Sequence, residues 1–217
     1  MSELRTDEEQ AEIIKKWWSE NGTGLLATAA VAVAGVTGWN YWQDQKVATG
    51  EAASATYSQL VELAAQENQD NATEMQALAE QLKTEFASTA YADFGSLFIA
   101  RLAAQSGDYE AAAAELKTLI KEADSGAVKS LAQARLATVL VQLDRADEAL
   151  AALPPSADAA FAPQIEEARG DALYRKGQLA DAREAYQRAM EAARTLGQTN
   201  STLQRKIDTL NTGGEDA

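Results

Sequence analysis

The chain has 217 residues, 46% of them hydrophobic and only 3 of them proline, and it carries a formal net charge of −14. This length leaves room for one tail, one membrane span and one domain of ordinary size. The acidic balance argues against nucleic acid as a partner, because a nucleic-acid binder needs a basic surface. The chain has no cysteine and no histidine. Thiol chemistry, imidazole catalysis and zinc sites built from these residues are therefore excluded.

An uncharged run occupies residues 21–43, between Glu20 and Asp44. About 20 apolar residues cross a bilayer as a helix, so the run is long enough. All four tryptophans of the chain flank or end it, where an aromatic belt would lie at a membrane surface: Trp17, Trp18, Trp39 and Trp42. A buried helix of a soluble protein is the alternative. The flanking aromatic residues favour a transmembrane helix at residues 21–43, in contact with membrane lipid.

The basic residues around this span predict its orientation. Lys15 and Lys16 precede it closely, whereas Lys46 alone follows it before Lys83. Lysine and arginine accumulate on the cytoplasmic side of membrane spans. Residues 1–20 are therefore predicted to be a cytoplasmic tail, with the C-terminal domain on the other side. A cleaved signal peptide fits less well, because the apolar stretch is long and ends in bulky aromatic residues.

The tail contains the pattern of a short amphipathic helix. Thr6 and Glu9 have the spacing of a capping box that opens a helix at Asp7. Four apolar side chains then follow at helical spacing: Ile13, Ile14, Trp17 and Trp18. The pair Asn21-Gly22 predicts that this helix ends before the span. We expect it to lie on the cytoplasmic membrane surface.

Within the span, Ala30, Ala34 and Gly38 follow one another at intervals of four residues. Such ridges of small side chains allow transmembrane helices to approach closely. Alanine and glycine are also simply common in membrane spans, which is the alternative explanation. The ridge is a possible transmembrane helix contact.

The remainder of the chain repeats itself. Three turn signals, Gly107-Asp108-Tyr109, Asp144-Arg145-Ala146 and Gly177-Gln178-Leu179, are separated by 37 and 33 residues, against about 34 in a tetratricopeptide repeat. Aligned on these turns, small and large residues coincide as they would where two helices cross. The small sets are Ala112, Ala149 and Ala182, and Ala100, Ala137 and Gly170; the large set is Leu116, Leu153 and Tyr186. We predict an all-α fold, in which a single transmembrane helix precedes a tetratricopeptide-like helical-repeat solenoid at residues 44–212.

The ends of this array are predicted to be atypical, because one side of a terminal repeat faces water. Residues 50–65 and 71–86 indicate a degenerate helical pair, and Leu203, Ile207 and Leu210 indicate a closing helix. Pro154 and Pro155 should cut the second helix of the middle repeat short. Residues 213–217 are predicted to be a disordered tail.

The first helix of each repeat forms the inner side of such a solenoid. In this register, that side forms a possible partner-binding groove made of Phe94, Leu97, Arg101, Leu131, Ala134, Thr138, Val141, Gln164, Glu167, Asp171 and Tyr174. The groove changes from apolar to acidic along the array. The alternative is that Phe94, Leu97 and Leu131 are ordinary core residues.

Residues 13–22, the span and residues 38–42 together resemble the YfgM-like family, the ancillary subunits of the SecYEG translocon in Gram-negative bacteria. The aromatic pair before Glu20-Asn21-Gly22 and the aromatic cluster after the span carry the resemblance. It implies an inner-membrane protein with a single N-terminal span and a tetratricopeptide-like periplasmic domain. It also implies partners, namely the SecYEG translocon and a PpiD-like periplasmic chaperone.

Three functions are compared on this basis. The first is a membrane-anchored repeat protein that mediates protein–protein interactions at the translocon and assists chaperones with newly translocated polypeptides. The second is a structural tether or adaptor for another cell-envelope complex. The third is an enzyme, with carboxylate pairs such as Glu166 and Glu167, or Asp181 and Glu184. Such pairs on exposed helices are solvated faces, so no catalysis, cofactor, metal or small-molecule substrate is predicted.

Overall fold

The computed structural model describes residues 7–66, 71–156 and 158–212, which contain nine α-helices and no β-strand. The helices are α1 (Asp7–Ala65), α2 (Ala72–Thr84), α3 (Tyr91–Gln105), α4 (Tyr109–Glu122), α5 (Gly126–Gln142), α6 (Ala146–Ala152), α7 (Ala162–Arg175), α8 (Leu179–Thr195) and α9 (Ser201–Thr212). The predicted all-α class is confirmed. The chain divides into two compact units, Met1–Ala52 and Ala53–Ala217.

Helix α1 continues through Asn21 and Gly22, where the sequence predicted a helix end, so that prediction was wrong. The Asn21 side chain donates a hydrogen bond to the Trp17 carbonyl at 3.1 Å. Gly22 lies beneath the Trp18 ring, and a Cβ added to it would lie 3.1 Å from that ring. Gly22 therefore makes room for an aromatic ring and does not adopt the left-handed conformation that ends many helices. The predicted capping box at Thr6 and the predicted tail at 213–217 lie outside the described residues.

By length and composition, α1 is the one helix in the described parts of the chain that is apolar enough to cross a membrane. Only 6% of its most apolar 18-residue stretch is buried, which does not fit the core helix of a soluble protein. Two threonine hydroxyls in its apolar part bond to the helix itself: Thr28 donates to the Gly24 carbonyl at 2.9 Å, and Thr37 donates to the Val33 carbonyl at 2.8 Å. The hydroxyls are therefore satisfied without water, as an apolar environment requires.

In the second unit, each helix from α2 to α5 packs against the next along the chain, and α7 packs against both α5 and α8. The three turn signals of the sequence mark the ends of α3, α5 and α7. Gly107, Asp144 and Gly177 have positive φ angles of 84°, 59° and 76°. The next residue donates its N–H to the carbonyl five positions earlier, as in a Schellman motif: Asp108 to Ala103, Arg145 to Leu140 and Gln178 to Leu173, at 2.9–3.0 Å.

The predicted crossing positions are buried in every repeat. Ala112, Ala149, Ala182 and Ala137 are fully inaccessible to solvent, and Ala100 and Gly170 are buried as well. Leu116, Leu153 and Tyr186 are buried at the position predicted for a large side chain. The repeat register is confirmed, and with it the helical-repeat architecture.

Both ends of the array depart from the repeat pattern. Leu60 and Leu82 are fully buried in one cluster, whereas Val61, next to Leu60 on the same helix, is 40% exposed. An apolar face of Tyr57, Leu60, Val61 and Ala64, which the sequence of residues 50–65 predicts, is therefore only partly right. At the other end, Leu203 and Ile207 of α9 pack with Tyr186 of α8.

The predicted shortening of α6 before Pro154 is confirmed, because that helix has 7 residues.

Candidate functional site

A concave cavity of about 810 Å³ lies on α3, α5 and α7, with one further side chain each from α4 and α9. Seven of the eleven residues predicted for a groove line it: Arg101, Leu131, Ala134, Thr138, Gln164, Glu167 and Asp171. Additional polar side chains from outside the predicted set are Gln105, Arg135 and Lys206. The first helices of the three repeats therefore share one concave surface, as solenoid packing requires.

The other four predicted residues do not line this cavity. Leu97 is a buried core residue, 4% exposed, and Val141 packs against the same core. Phe94 of α3 packs against this core too, and its ring centroid lies 5.3 Å from that of Tyr57. Tyr174 is half exposed near the end of α7. Phe94 and Leu97 are therefore core residues, which was the alternative to the groove in the sequence analysis. Leu131 contacts the core and also lines the cavity.

The acidic side of the cavity is bridged by a lysine from α9. The Lys206 Nζ lies 2.8 Å from an oxygen of Glu167 and 2.6 Å from Oδ1 of Asp171. The Tyr186 hydroxyl donates to the same Asp171 oxygen at 2.8 Å. Burial opposes the charge on Lys206, but the bonds to Asp171 and Glu167 outweigh it and raise the pKa of Lys206. Burial, followed by the Asp171 charge, raises the pKa of the Tyr186 hydroxyl far above its usual range.

The basic side of the cavity is built differently. Arg101 on α3 and Arg135 on α5 make no ion pair with any residue that the structure describes. The Arg101 guanidinium carbon lies 5.9 Å from the Phe98 ring centroid, a cation–π contact. Partial burial, followed by repulsion from Arg101, lowers the pKa of Arg135. Two positive side chains therefore line the same cavity beside apolar surface, and neither is paired with a carboxylate of the described residues.

The sequence alone did not place Arg135 and Lys206 in this site. Arg135 follows Ala134 at a position that the groove register skipped, and helical geometry brings both side chains to the cavity. Lys206 stands 35 residues beyond Asp171 and reaches it only because α9 folds back on α8. The sequence did contain one indication of this contact, because Lys206 stands between Leu203 and Ile207, the two buried residues of α9. Within the described ranges, no group of three acidic side chains has the arrangement of a metal site.

The family described as tetratricopeptide repeat-like domain matches residues 15–212, and the chain belongs to this family. Its relatives include a protein of Haemophilus influenzae named ancillary SecYEG translocon subunit, 35% identical over 104 residues, which are 47% of this chain and 49% of the relative. Proteins of the same name from Escherichia coli and Aggregatibacter actinomycetemcomitans are 28% identical over 99 residues and 40% identical over 53 residues.

The resemblance of the sequence to the YfgM-like family is thereby confirmed. The aligned part of the chain spans about half the length of the H. influenzae and E. coli relatives, at 49% and 48%, and 26% of the third. No solved structure gives a significant match.

Proposed function

We propose that this chain is a membrane-anchored helical-repeat protein that mediates protein–protein interactions at the Sec translocon. In this role it assists periplasmic chaperones with newly translocated polypeptides. The observation that carries the proposal is that the family match runs through both the apolar helix and the repeats, and that relatives bear the name of translocon subunits. Partners of the anchored domain would be SecYEG and a PpiD-like chaperone.

The physical basis of this function is confinement. A membrane anchor raises the effective concentration of the repeat domain at other membrane-bound proteins, so that weak contacts are occupied without any gain in intrinsic affinity. The concave cavity on α3, α5 and α7 supplies a surface for such a contact, because it combines apolar floor with charged rim. An adaptor of this kind binds and positions other proteins and needs no reactive group.

Three of the four candidate catalytic carboxylates, Glu166, Glu167 and Asp181, already have structural partners, which supports this non-catalytic role. The two Glu166 oxygens accept hydrogen bonds from Arg169 at 3.2 Å and from Arg188 at 2.8 Å. Arg169 also donates to the Pro154 carbonyl at 2.7 Å, so it ties α7 to the loop after α6. Asp181 accepts a hydrogen bond from Gln178 at 3.3 Å, beside the first turn of α8.

We further propose that the N-terminus is cytoplasmic and the repeat domain periplasmic. The support is the lysine asymmetry: Lys15 and Lys16 precede the span, and Lys46 follows it with its Nζ 4.4 Å from the Trp42 ring centroid. Protease added to spheroplasts should digest the chain beyond Asp44 and leave a small anchored fragment. A repeat domain that stays fully protected while the outer membrane is open would reverse the assigned topology.

The partner proposal is tested by photo-crosslinking in intact membranes. A photoreactive residue at Thr138, which lines the cavity, is compared with one at Thr118, which is exposed on α4 outside it. Both hydroxyls bond to the carbonyl four residues earlier, so the two sites are matched in local structure. Selective capture of a translocon subunit or a membrane-bound chaperone at Thr138 is the expected result.

Two other outcomes would count against the proposal. Capture of an unrelated envelope complex alone would favour the tether or adaptor function over a role at the translocon. Equal capture from both positions would mean that the cavity is not the contact surface.

A further inference from the structure

We propose that the cavity binds an extended peptide segment through an acidic side chain held between Arg101 and Arg135, with an adjacent apolar side chain on Leu131. The inference rests on the proposed role of the cavity as a protein-binding surface, and it adds the chemistry of the partner. It concerns an acidic residue inside a segment, not a chain end.

The sign of the partner's charge follows from how the basic residues are paired. The chain has 33 acidic against 19 basic residues, so carboxylates are abundant. Several basic side chains elsewhere use them: Lys83 contacts Glu115 at 2.8 Å, and Arg169 contacts Glu166 at 3.2 Å. Arg101 and Arg135 contact no carboxylate of the described chain, although they line the same cavity. A carboxylate between them would relieve their repulsion and gain charge-assisted hydrogen bonds.

The acidic side of the cavity offers no comparable attraction for a basic peptide. Lys206 already contacts both Glu167 and Asp171, and the Tyr186 hydroxyl donates to Asp171. A basic side chain would therefore have to compete with an existing internal lysine. The uncompensated charge in this cavity is positive, and it selects an acidic partner.

The shape of the cavity indicates an extended segment. Its apolar floor comes from Leu131, Ala134 and Val139 of α5, between α3 and α7. Neighbouring helices pack 8–10 Å apart, so a segment that crosses from α3 to α7 covers roughly 20 Å, or about six extended residues. The arginines lie on the α3 and α5 side, so the segment continues past them toward α7. An acidic residue next to an apolar one matches the Arg pair and the adjoining floor.

The test uses the full chain in detergent micelles and a fluorescent, end-capped peptide that alternates leucine and aspartate. A matched peptide carries asparagine in place of aspartate. Protein variants are Arg101→Gln, Arg135→Gln and the double variant, with Arg183→Gln as control, since Arg183 is exposed on α8 outside the cavity. The double variant should bind the acidic peptide about tenfold more weakly or worse, and Arg183→Gln should bind it like the original chain.

Three further results are expected if the arginines act through charge. Binding of the acidic peptide should weaken with salt. The asparagine peptide should bind weakly to every protein variant, with no further loss in the double variant. A double Arg101→Lys, Arg135→Lys variant should recover part of the affinity, because it restores the charges without the planar guanidinium groups. Circular dichroism confirms that each variant is folded.

Several results would overturn the inference. They are no binding of the acidic peptide by the unaltered chain, equal binding by the double Gln variant, and equal binding of the asparagine peptide. Stronger binding of a peptide whose only carboxylate is its free C-terminus would reassign the site to chain ends. Capture of the translocon at Thr138 together with any of these failures would leave the proposed function standing and remove only the acidic-peptide inference.

Discussion

Gly170 and Tyr186 form the one repeat crossing in which the usual small and large residues are both changed. The equivalent positions in the other two repeats hold alanine and leucine: Ala100 with Leu116, and Ala137 with Leu153. A Cβ added to Gly170 would lie 2.4 Å and 2.5 Å from two ring carbons of Tyr186, closer than atoms can approach. The larger ring on α8 is therefore accommodated by the smaller residue on α7.

Gly170→Ala should lower the free energy of unfolding by about 1–3 kcal/mol, because the ring or the helix must move to admit the new methyl group. Chemical unfolding followed by circular dichroism measures this change. Gly126→Ala is the matched control, since an added Cβ there meets nothing within 4 Å. It should be neutral or slightly stabilising, because alanine is the better helix former.

The clash itself can be isolated with a second substitution. Gly170→Ala combined with Tyr186→Leu restores the alanine and leucine of the other repeats, so the double variant should lose less stability than the sum of the two single variants. Additive losses would mean that steric contact between these two residues is not the cause.

Lys206 and Tyr186 predict how stability depends on pH. The pKa of Lys206 is raised above its ordinary value of 10.5, and that of Tyr186 is raised above its ordinary value of 10.0. A group whose folded-state pKa is raised binds its proton more tightly in the folded state, so its contribution is present below the unfolded pKa and is lost as pH rises above it. Both groups therefore destabilise the fold in the same alkaline range, beginning near pH 10.

Lys206→Met with Tyr186→Phe should flatten this alkaline loss. The double variant is expected to be less stable at neutral pH, by about 1–3 kcal/mol, because Glu167 and Asp171 lose their partners. Its thermal midpoint should then fall less between pH 9 and pH 11 than that of the original chain. Lys121→Met is the control, since Lys121 is exposed and contributes no ion pair in the described structure. An unchanged alkaline slope in the double variant would contradict the prediction.

At the scale of single helices, the sequence predicted the helix ends at which the backbone adopts the left-handed conformation. Gly107 and Gly177 supply that conformation at low cost, and Asp144 tolerates it with a φ of 59°. Gly197 ends α8 in the same way with a φ of 69°, but the repeat spacing did not indicate it. The spacing describes repeated pairs, and α8 is followed by a single closing helix.

The predicted helix end at Asn21-Gly22 was wrong for a physical reason. Asparagine followed by glycine is a local signal for a helix end, yet helix-forming sequence continues on both sides of it. The Trp18 ring covers Gly22, so the absence of a side chain serves packing within the helix. Sequence reasoning identified the glycine but could not tell which of its two advantages, small size or conformational freedom, is used.

Ala149→Trp tests the packing of α6, the shortest helix of the array. Ala149 is completely buried on α6, so a tryptophan there forces the helix away from its neighbours and should lower stability by about 1–3 kcal/mol or more. Ala151→Trp is the control, because Ala151 is exposed on the same helix. The substitution changes helix propensity by the same amount but inserts no ring into the core. If both variants unfold at the same denaturant concentration, Ala149 does not lie at a close crossing.

For the molecule as a whole, the sequence predicted the position of the cavity better than its charge. Helical register alone placed Arg101, Leu131 and Asp171 on one concave surface, because the first helices of stacked repeats must face the same way. It predicted an acidic end, but Lys206 arrives there from α9, and this pairing depends on tertiary structure. The unpaired charges of the cavity are consequently basic, the reverse of what the sequence of α7 suggested.

The contribution of the membrane anchor to partner capture can be tested with the whole chain. Removing residues 1–43 should leave the repeats folded but lower partner capture in cells, because the domain loses its confinement at the membrane. Partner capture is measured by crosslinking from Thr138 in the same membranes. If deletion of the anchor leaves capture unchanged, confinement plays no part in the function.

A leucine-rich foreign anchor separates confinement from direct contact within the membrane. It restores attachment but removes the ridge of Ala30, Ala34 and Gly38, whose residues are exposed in the structure, with nothing within 4 Å of a Cβ added to Gly38. Small residues at this spacing let helices approach closely in lipid. We expect partial recovery of capture, since the repeat domain keeps its own binding surface. Full recovery would show that the span is only a tether, and no recovery would assign the main contact to the span.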